Sequence, residues 1–442
     1  MRRSTFRSAS VAAVVRDRGL PVVLLGVVCL LSLGSRLVHL EQPCTKPCGK
    51  PASYGLVFDE RYYVNAARRM LGRPVPAGQP YATAPAHEDP NAEHPQLGKL
   101  LIAGGIAVFG DRPLGWRIGS LLFGTLAILA MYALVRAGGG APRLALGAAS
   151  LMAVDNLFLV HGRIATLDVY ALALLLVAGT LYFRHRYAAS GLVLALAACT
   201  KLVALYAVFI FGFYELFRLL LRRRGVGAQA PLSAVPRRLA TTIAAAAAGY
   251  TFLLWLLDRT MPPYDPGNGR TLHDPYHHTL HMLHYAIRIV GTSGVASYPW
   301  QWFLNEKTID YYSVVRTTYS AGHAISQTKV IAFQGAMNPF VIFLAIPALS
   351  LSIHAAYRTA ENVNLIAVAW VAGLLLPFTL QSFSQHRTMY LYYMLLVLPG
   401  IYISISRMFS AARMPLAVRI GYSIALLAGF VDLYPIRALS GF

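Results

Sequence analysis

"FDERYYVNAARRML", residues 58–71, decides how this chain is to be read. Two adjacent carboxylates, Asp59 and Glu60, open a helix-like stretch with arginines, shortly after the first long apolar run. The whole chain is 56% hydrophobic and only 13% charged, whereas soluble domains carry about 25% charged residues. The composition is that of a membrane protein with many spans, so the two carboxylates stand beside a membrane segment.

A span needs roughly 20 apolar residues. Working outward, apolar runs fall near 20–40, 113–135, 143–161, 166–183, 187–199, 201–221, 239–257, 330–353, 363–383, 388–406 and 417–435. This predicts an all-α polytopic protein of about eleven transmembrane helices, the fifth of them short. The stretch 97–110 is also short and reads as a helix lying at the membrane surface. No internal repeat and no separate soluble domain is visible, so residues 1–442 read as one transmembrane domain.

The formal net charge of +21 does not indicate nucleic acid, because the basic residues cluster at the ends of apolar runs and do not line a soluble face. Arg2, Arg3, Arg7, Arg16 and Arg18 precede the first run, in a tail without a persuasive signal-peptide cleavage pattern. Arg136 and Arg143, Arg184 and Arg186, "LRRRG" with "PRR", Arg358, and then Arg407, Arg413 and Arg419 make every second connection basic. Short basic connections are cytoplasmic. The expected location is therefore a cell membrane, with the N-terminus inside and two large extracytoplasmic loops, 41–112 and 258–329. Of four cysteines, Cys29 and Cys199 read as packing residues; a Cys44–Cys48 disulfide is expected if their loop faces an oxidising compartment.

That topology gathers polar motifs on one side: Asp59–Glu60, "EHPQLGK" (93–99), Arg117 in "PLGWRIGS", "HGRIATLD" (161–168), Lys201, "SYPWQWFLNEKTIDYY" (297–312) and "SQHRTMYLYY" (384–393). Ionisable groups near membrane level are costly and are functional or paired. Each motif also has a structural reading. Asp59–Glu60 would cap the next helix and pair with Arg61 or Arg68; Arg117 and Arg163 would snorkel; Asp168 would meet its helix dipole or Arg163. Trp300, Trp302 and the nearby tyrosines would form an interfacial belt. His277, His281 and His284 share one helical face, as an amphipathic interfacial helix or, less simply, a metal site.

"FDE", "HPQLGK", "GWRIGSLLFGTL", "HGRIATLDVYAL", "CTKLVALY", "SYPWQWF" and "HRTMYLYYMLLVLP" occur in that order, from about residue 58 to 400. Together they resemble the protein O-mannosyltransferase family, within the GT-C class of polyprenyl-phosphate-dependent glycosyltransferases. The sequence departs from the family's pattern at Gln96, Leu202 and Gln301, and it lacks the carbohydrate-binding-like repeats of eukaryotic members.

The resemblance implies that an acceptor hydroxyl, on Ser or Thr of an exported protein, attacks a polyprenyl-phosphate sugar, mannose first, with inversion. Asp59 is then the general base and Glu60 its orienting neighbour. Arg387 is the first choice for the lipid phosphate and Arg117 the second, since a guanidinium matches phosphate oxygens in a fork. Lys201 and His94 touch the donor, and Arg163, Asp168, Trp300 and Trp302 hold or position the site. No cofactor or metal is demanded, though a divalent ion stays open. Expected partners are the lipid-linked donor, a protein or glycan acceptor, membrane lipids and the protein-export machinery. A GT-C enzyme acting on a glycolipid, lipid A or cell-wall glycan is the alternative. A transporter or flippase fits less well, because transporters show paired repeats and midplane breaks, while here the polar groups share one face.

Overall fold

The helices begin and end where the residues require it. A computed structural model describes residues 11–44, 53–226, 234–288, 294–320, 323–385, 389–410 and 414–434. Proline stands in the first turn of Pro113–Ala137, Pro142–Ala153 and Pro339–Thr359, where its missing N–H has no helical partner to lose. Among the described residues, seven helical segments are long and apolar enough to cross a membrane: Gly19–Leu37, Pro113–Ala137, Leu202–Arg223, Ala234–Thr260, Pro339–Thr359, Asn362–Gln385 and Leu391–Ser410. Asp168–Phe183 and Tyr187–Thr200 are apolar but shorter. The expectation of a polytopic helical fold holds.

Three expectations about boundaries are corrected. The run 143–161 is split into Pro142–Ala153 and Asn156–His161. Asp155 caps the second piece by accepting from the amides of Leu157 (3.0 Å) and Phe158 (3.4 Å), the usual role of Asp at a helix start. Asn338 locks this break: its side-chain amide donates to the carbonyls of Val154 (3.1 Å) and Leu426 (2.9 Å). Second, the helix expected from 330 begins at Pro339; residues 330–335 belong to an antiparallel ribbon, Ile309–Ser320 with His323–Gly335. Third, Met389–Tyr390 is a short strand paired with Ala296–Ser297, and the spanning segment there begins with a 3-10 turn, Leu391–Tyr393, that leads into the α-helix from Met394.

Helix Leu97–Phe109 packs on Pro113–Ala137 and on Glu60–Met70. The approach is close because both sides are glycine: a Cβ on Gly105 would stand 2.2 Å from the Gly115 carbonyl oxygen. The two long connections are joined to each other. Asp89 donates its amide to Pro262 and accepts from Tyr264, each at 2.8 Å. Asp258 accepts from Gln96 (2.7 Å) and sits 2.7 Å from His278, whose other ring nitrogen is 3.2 Å from the Ala92 carbonyl.

Candidate active site

Asp59 sits at the N-cap position of Glu60–Met70, yet its side chain makes no capping hydrogen bond. The arginines expected to pair with it are engaged elsewhere: Arg68 with Asp111 (3.0 Å) and Asn65 (2.7 Å), Arg61 with the Tyr62 hydroxyl (3.0 Å). Surrounding protein pushes its pKa up to about 6; burial is the main cause, Asp168 adds to it, and Lys201 and Arg61 oppose it. A half-buried carboxylate with that pKa is a competent proton acceptor near neutral pH.

Glu60 is its opposite. The side chain is fully buried, and both oxygens are engaged twice. Oε1 accepts from Arg117 Nε and the Ala165 amide, each at 2.8 Å; Oε2 accepts from Arg117 Nη2 (2.7 Å) and the Val57 amide (2.8 Å). A carboxylate offers about four lone-pair positions, and all are filled. Arg117 completes the clamp by donating to the carbonyls of Leu40 and Gln42 (2.8 Å). This corrects the expectation that Arg117 grips a donor phosphate: its fork is closed on Glu60, and the residue is buried.

Lys201 lies in an extended break after Tyr187–Thr200. Its ammonium meets Asp168 at 2.6 Å and lies 4.8 and 5.3 Å from the ring centres of Tyr392 and Tyr393. Asp168 therefore pairs with Lys201 and not with Arg163. Lys201 and His94 line one cavity of about 280 Å³, together with Tyr206, Tyr285, Phe378 and Tyr393. The His94 ring stands between Tyr63 and Tyr285, with centroids 5.9 and 6.0 Å away. A mostly apolar cavity with an ammonium in its wall suits a lipid-linked anion.

Arg163 is buried, donates to the carbonyls of Val38 and His39 (3.0 Å each) and covers the Phe333 ring at 5.0 Å. It is a structural tie to the end of the first span and does not snorkel. The two tryptophans part ways. Trp302 is buried, donates to Ser297 Oγ at 2.9 Å, meets Phe378 edge-on and lies tilted against Tyr393; Trp300 is exposed in a stack with Tyr298 and Phe383. Arg387 and Cys48 lie outside the described residues, while Cys44 is disulfide-bonded. His277 and His281 pair with different aspartates, Asp274 (2.6 Å) and Asp265 (3.6 Å).

Residues not singled out from sequence complete the site. His161 places one ring nitrogen 2.6 Å from the Tyr311 hydroxyl and the other 3.0 Å from Thr166 Oγ1. Lys99 gathers its loop by bonding Asp89 (2.5 Å) and the carbonyls of Asn91 (2.5 Å) and His94 (2.7 Å). The placement of His161 and Lys99 inside quoted motifs was the available signal.

The fold resembles that of the GT-C class of membrane glycosyltransferases, as known structures show. The structure of the Saccharomyces cerevisiae protein O-mannosyltransferase Pmt1–Pmt2 complex bound to the sugar donor superposes with a TM-score of 0.66, covering 94% of this chain and 89% of that one at 13% identity. Within the class, the chain resembles the protein O-mannosyltransferases. A family profile described as dolichyl-phosphate-mannose-protein mannosyltransferase matches residues 93–236. The polyprenol-phosphate-mannose–protein mannosyltransferase of Mycobacterium tuberculosis is 24% identical over 87% of this chain and 80% of its own. The Corynebacterium glutamicum protein of the same name is 37% identical over 120 residues, 26% of this chain and 22% of its own length.

Proposed function

We propose that this protein transfers mannose from a polyprenyl-phosphate donor to a Ser or Thr hydroxyl of an exported protein, on the outer face of the cell membrane. The observation that carries the reading is the pair of neighbouring carboxylates in opposite states. Glu60 is closed on Arg117, while Asp59 remains a raised-pKa base near a cation-walled apolar cavity. The names of the relatives support the donor and the acceptor class.

In the proposed reaction the acceptor oxygen bonds to the anomeric carbon as the bond from that carbon to the phosphate oxygen breaks. The hydroxyl proton passes to Asp59, and the electron pair leaves with polyprenyl phosphate. Lys201, held by Asp168, faces the growing negative charge, and His94 borders the same cavity. Arg387 remains the proposed second cation. Displacement in one step inverts the anomeric centre. No cofactor enters this sequence. Glu60 and Arg117 act by fixing the turn that carries Asp59.

The reading is tested by supplying purified protein in lipid nanodiscs with labelled polyprenyl-phosphate mannose and separating protein from lipid products. Label on the Ser or Thr of a secreted-protein peptide is the expected result. Label on glycolipid alone would overturn the acceptor and leave the GT-C chemistry.

A further inference from the structure

Phe58, the residue before Asp59, has φ of +52°. That left-handed conformation is an outlier for a bulky side chain and persists only where surroundings impose it. The surroundings are aromatic. The Phe58 ring stacks on Tyr311, with centroids 4.3 Å apart and planes 20° apart, and meets Tyr392 edge-on at 6.0 Å.

Tyr311 is aimed at Phe58 by two local devices. In the ribbon, Asp310 pairs with Gln334 and Tyr312 with Phe333, so Tyr311 is the extra residue of a bulge; bulges redirect a side chain out of the regular alternation. The partner strand ends at Gly335, where a Cβ would stand 2.8 Å from the Tyr311 ring. The hydroxyl then meets the buried His161 at 2.6 Å. A strained backbone, a bulge, a glycine and a buried histidine all converge on one ring.

We propose that Tyr311 is a positioning residue for the reaction: its ring holds Phe58 left-handed and so sets the direction and depth of the Asp59 carboxylate. The proposal rests on Asp59 as the general base. Without the ring, Phe58 relaxes to negative φ, the peptide before Asp59 turns, and water reaches the carboxylate. The other groups acting on Asp59 are Lys201, Asp168 and Arg61; Tyr63, Tyr285 and Tyr392 also feel its charge.

The test compares Tyr311→Phe, Tyr311→Ala and Gly335→Ala in the full chain in nanodiscs. Three readouts are taken: kcat against donor KM, thermal stability, and infrared titration of the Asp59 carboxylate, isolated by subtracting Asp59→Asn. Tyr311→Ala should lower kcat about 10–10²-fold with donor KM little changed, the scale of a small misplacement of a reacting group. Its Asp59 should titrate nearer the ordinary carboxylate value of about 4. Tyr311→Phe keeps the stack and should lose far less. Gly335→Ala displaces the ring and should shift the titration in the same direction.

An unshifted titration in Tyr311→Ala, or Tyr311→Phe as damaging as Tyr311→Ala, overturns the proposal. Should Tyr311→Ala fail to fold, an unshifted titration in Gly335→Ala overturns it equally. The infrared measurement reads the position of Asp59 whether or not it is catalytic. Normal turnover in Asp59→Asn would defeat the general-base reading separately.

Discussion

Helix Asp168–Phe183 carries a charged cluster at each end, about 24 Å apart at 1.5 Å per residue. The clusters use the same ingredients to different ends. At the far end Glu215 accepts from Tyr182 (3.1 Å), Arg218 (3.2 Å) and Arg238 (3.5 Å), with Tyr182 stacked on Phe211. Both oxygens are taken, and no carboxylate stands in reserve. At the near end the Asp168–Lys201 pair borders the cavity, and Asp59 beside it is uncapped. Charge density and aromatic content do not distinguish the two ends. Unfilled hydrogen-bonding capacity does; a cavity alone does not, since Glu215, Arg218 and Arg238 line one of about 160 Å³ as well.

The contrast is broken or sharpened by three substitutions. Asp59→Asn should have the largest effect, about 10²–10⁴-fold slower turnover, the usual contribution of a general base. Donor binding and thermal stability should be retained. In the unsubstituted protein turnover should rise with pH through about 6, because Asp59 accepts a proton only when ionised; on the acid side it should fall as that carboxylate is protonated. The residual turnover of Asp59→Asn should lack this limb. A limb that survives the substitution would assign the proton transfer to another group.

Glu60→Gln should act chiefly on folding. Removing one charge from a buried ion pair costs about 3–5 kcal/mol, read as earlier thermal unfolding with a smaller loss of turnover per folded molecule. Unchanged stability with turnover as low as in Asp59→Asn would place Glu60 in the chemistry. Glu215→Gln should be mildest: about 1–3 kcal/mol of stability from poorly satisfied buried partners, and turnover near normal. A large loss of turnover there would couple the two ends of the helix and remove the contrast.

Much of this was legible in sequence. Apolar run length located the seven long spans among the described residues, since a membrane imposes a length on them. Asp155 and the Asn338-Pro339 pair carried ordinary helix-start signals, and both were overridden by the apolar runs around them. The ribbon was missed for a related reason. "IDYYSVVRTTYS" has the β-branched and aromatic content of a strand, but its partner runs directly into an apolar helix. The role of Arg117 was hidden by distance along the chain. Nothing near it in sequence announces that Glu60 will fill its fork, and an arginine beside a membrane suits a phosphate equally well until its partner is seen. The proposed role of Asp59 was suggested by the residue and its motif, while its surroundings were not legible; that of Tyr311 was not, because its aim depends on a bulge and on Gly335.

The tie between the two long connections bears on how the protein is made. The hydrogen bonds that clamp Glu60 come from Val57, Arg117 and Ala165. The Asp258–His278 junction and the Tyr311 stack require segments that leave the ribosome much later. The turn that carries Asp59 is therefore synthesised early and finished late. A partly inserted chain already bears the acidic pair but lacks the later segments that pack around it, so on the proposed reading it cannot act before most of its own helices are in the bilayer.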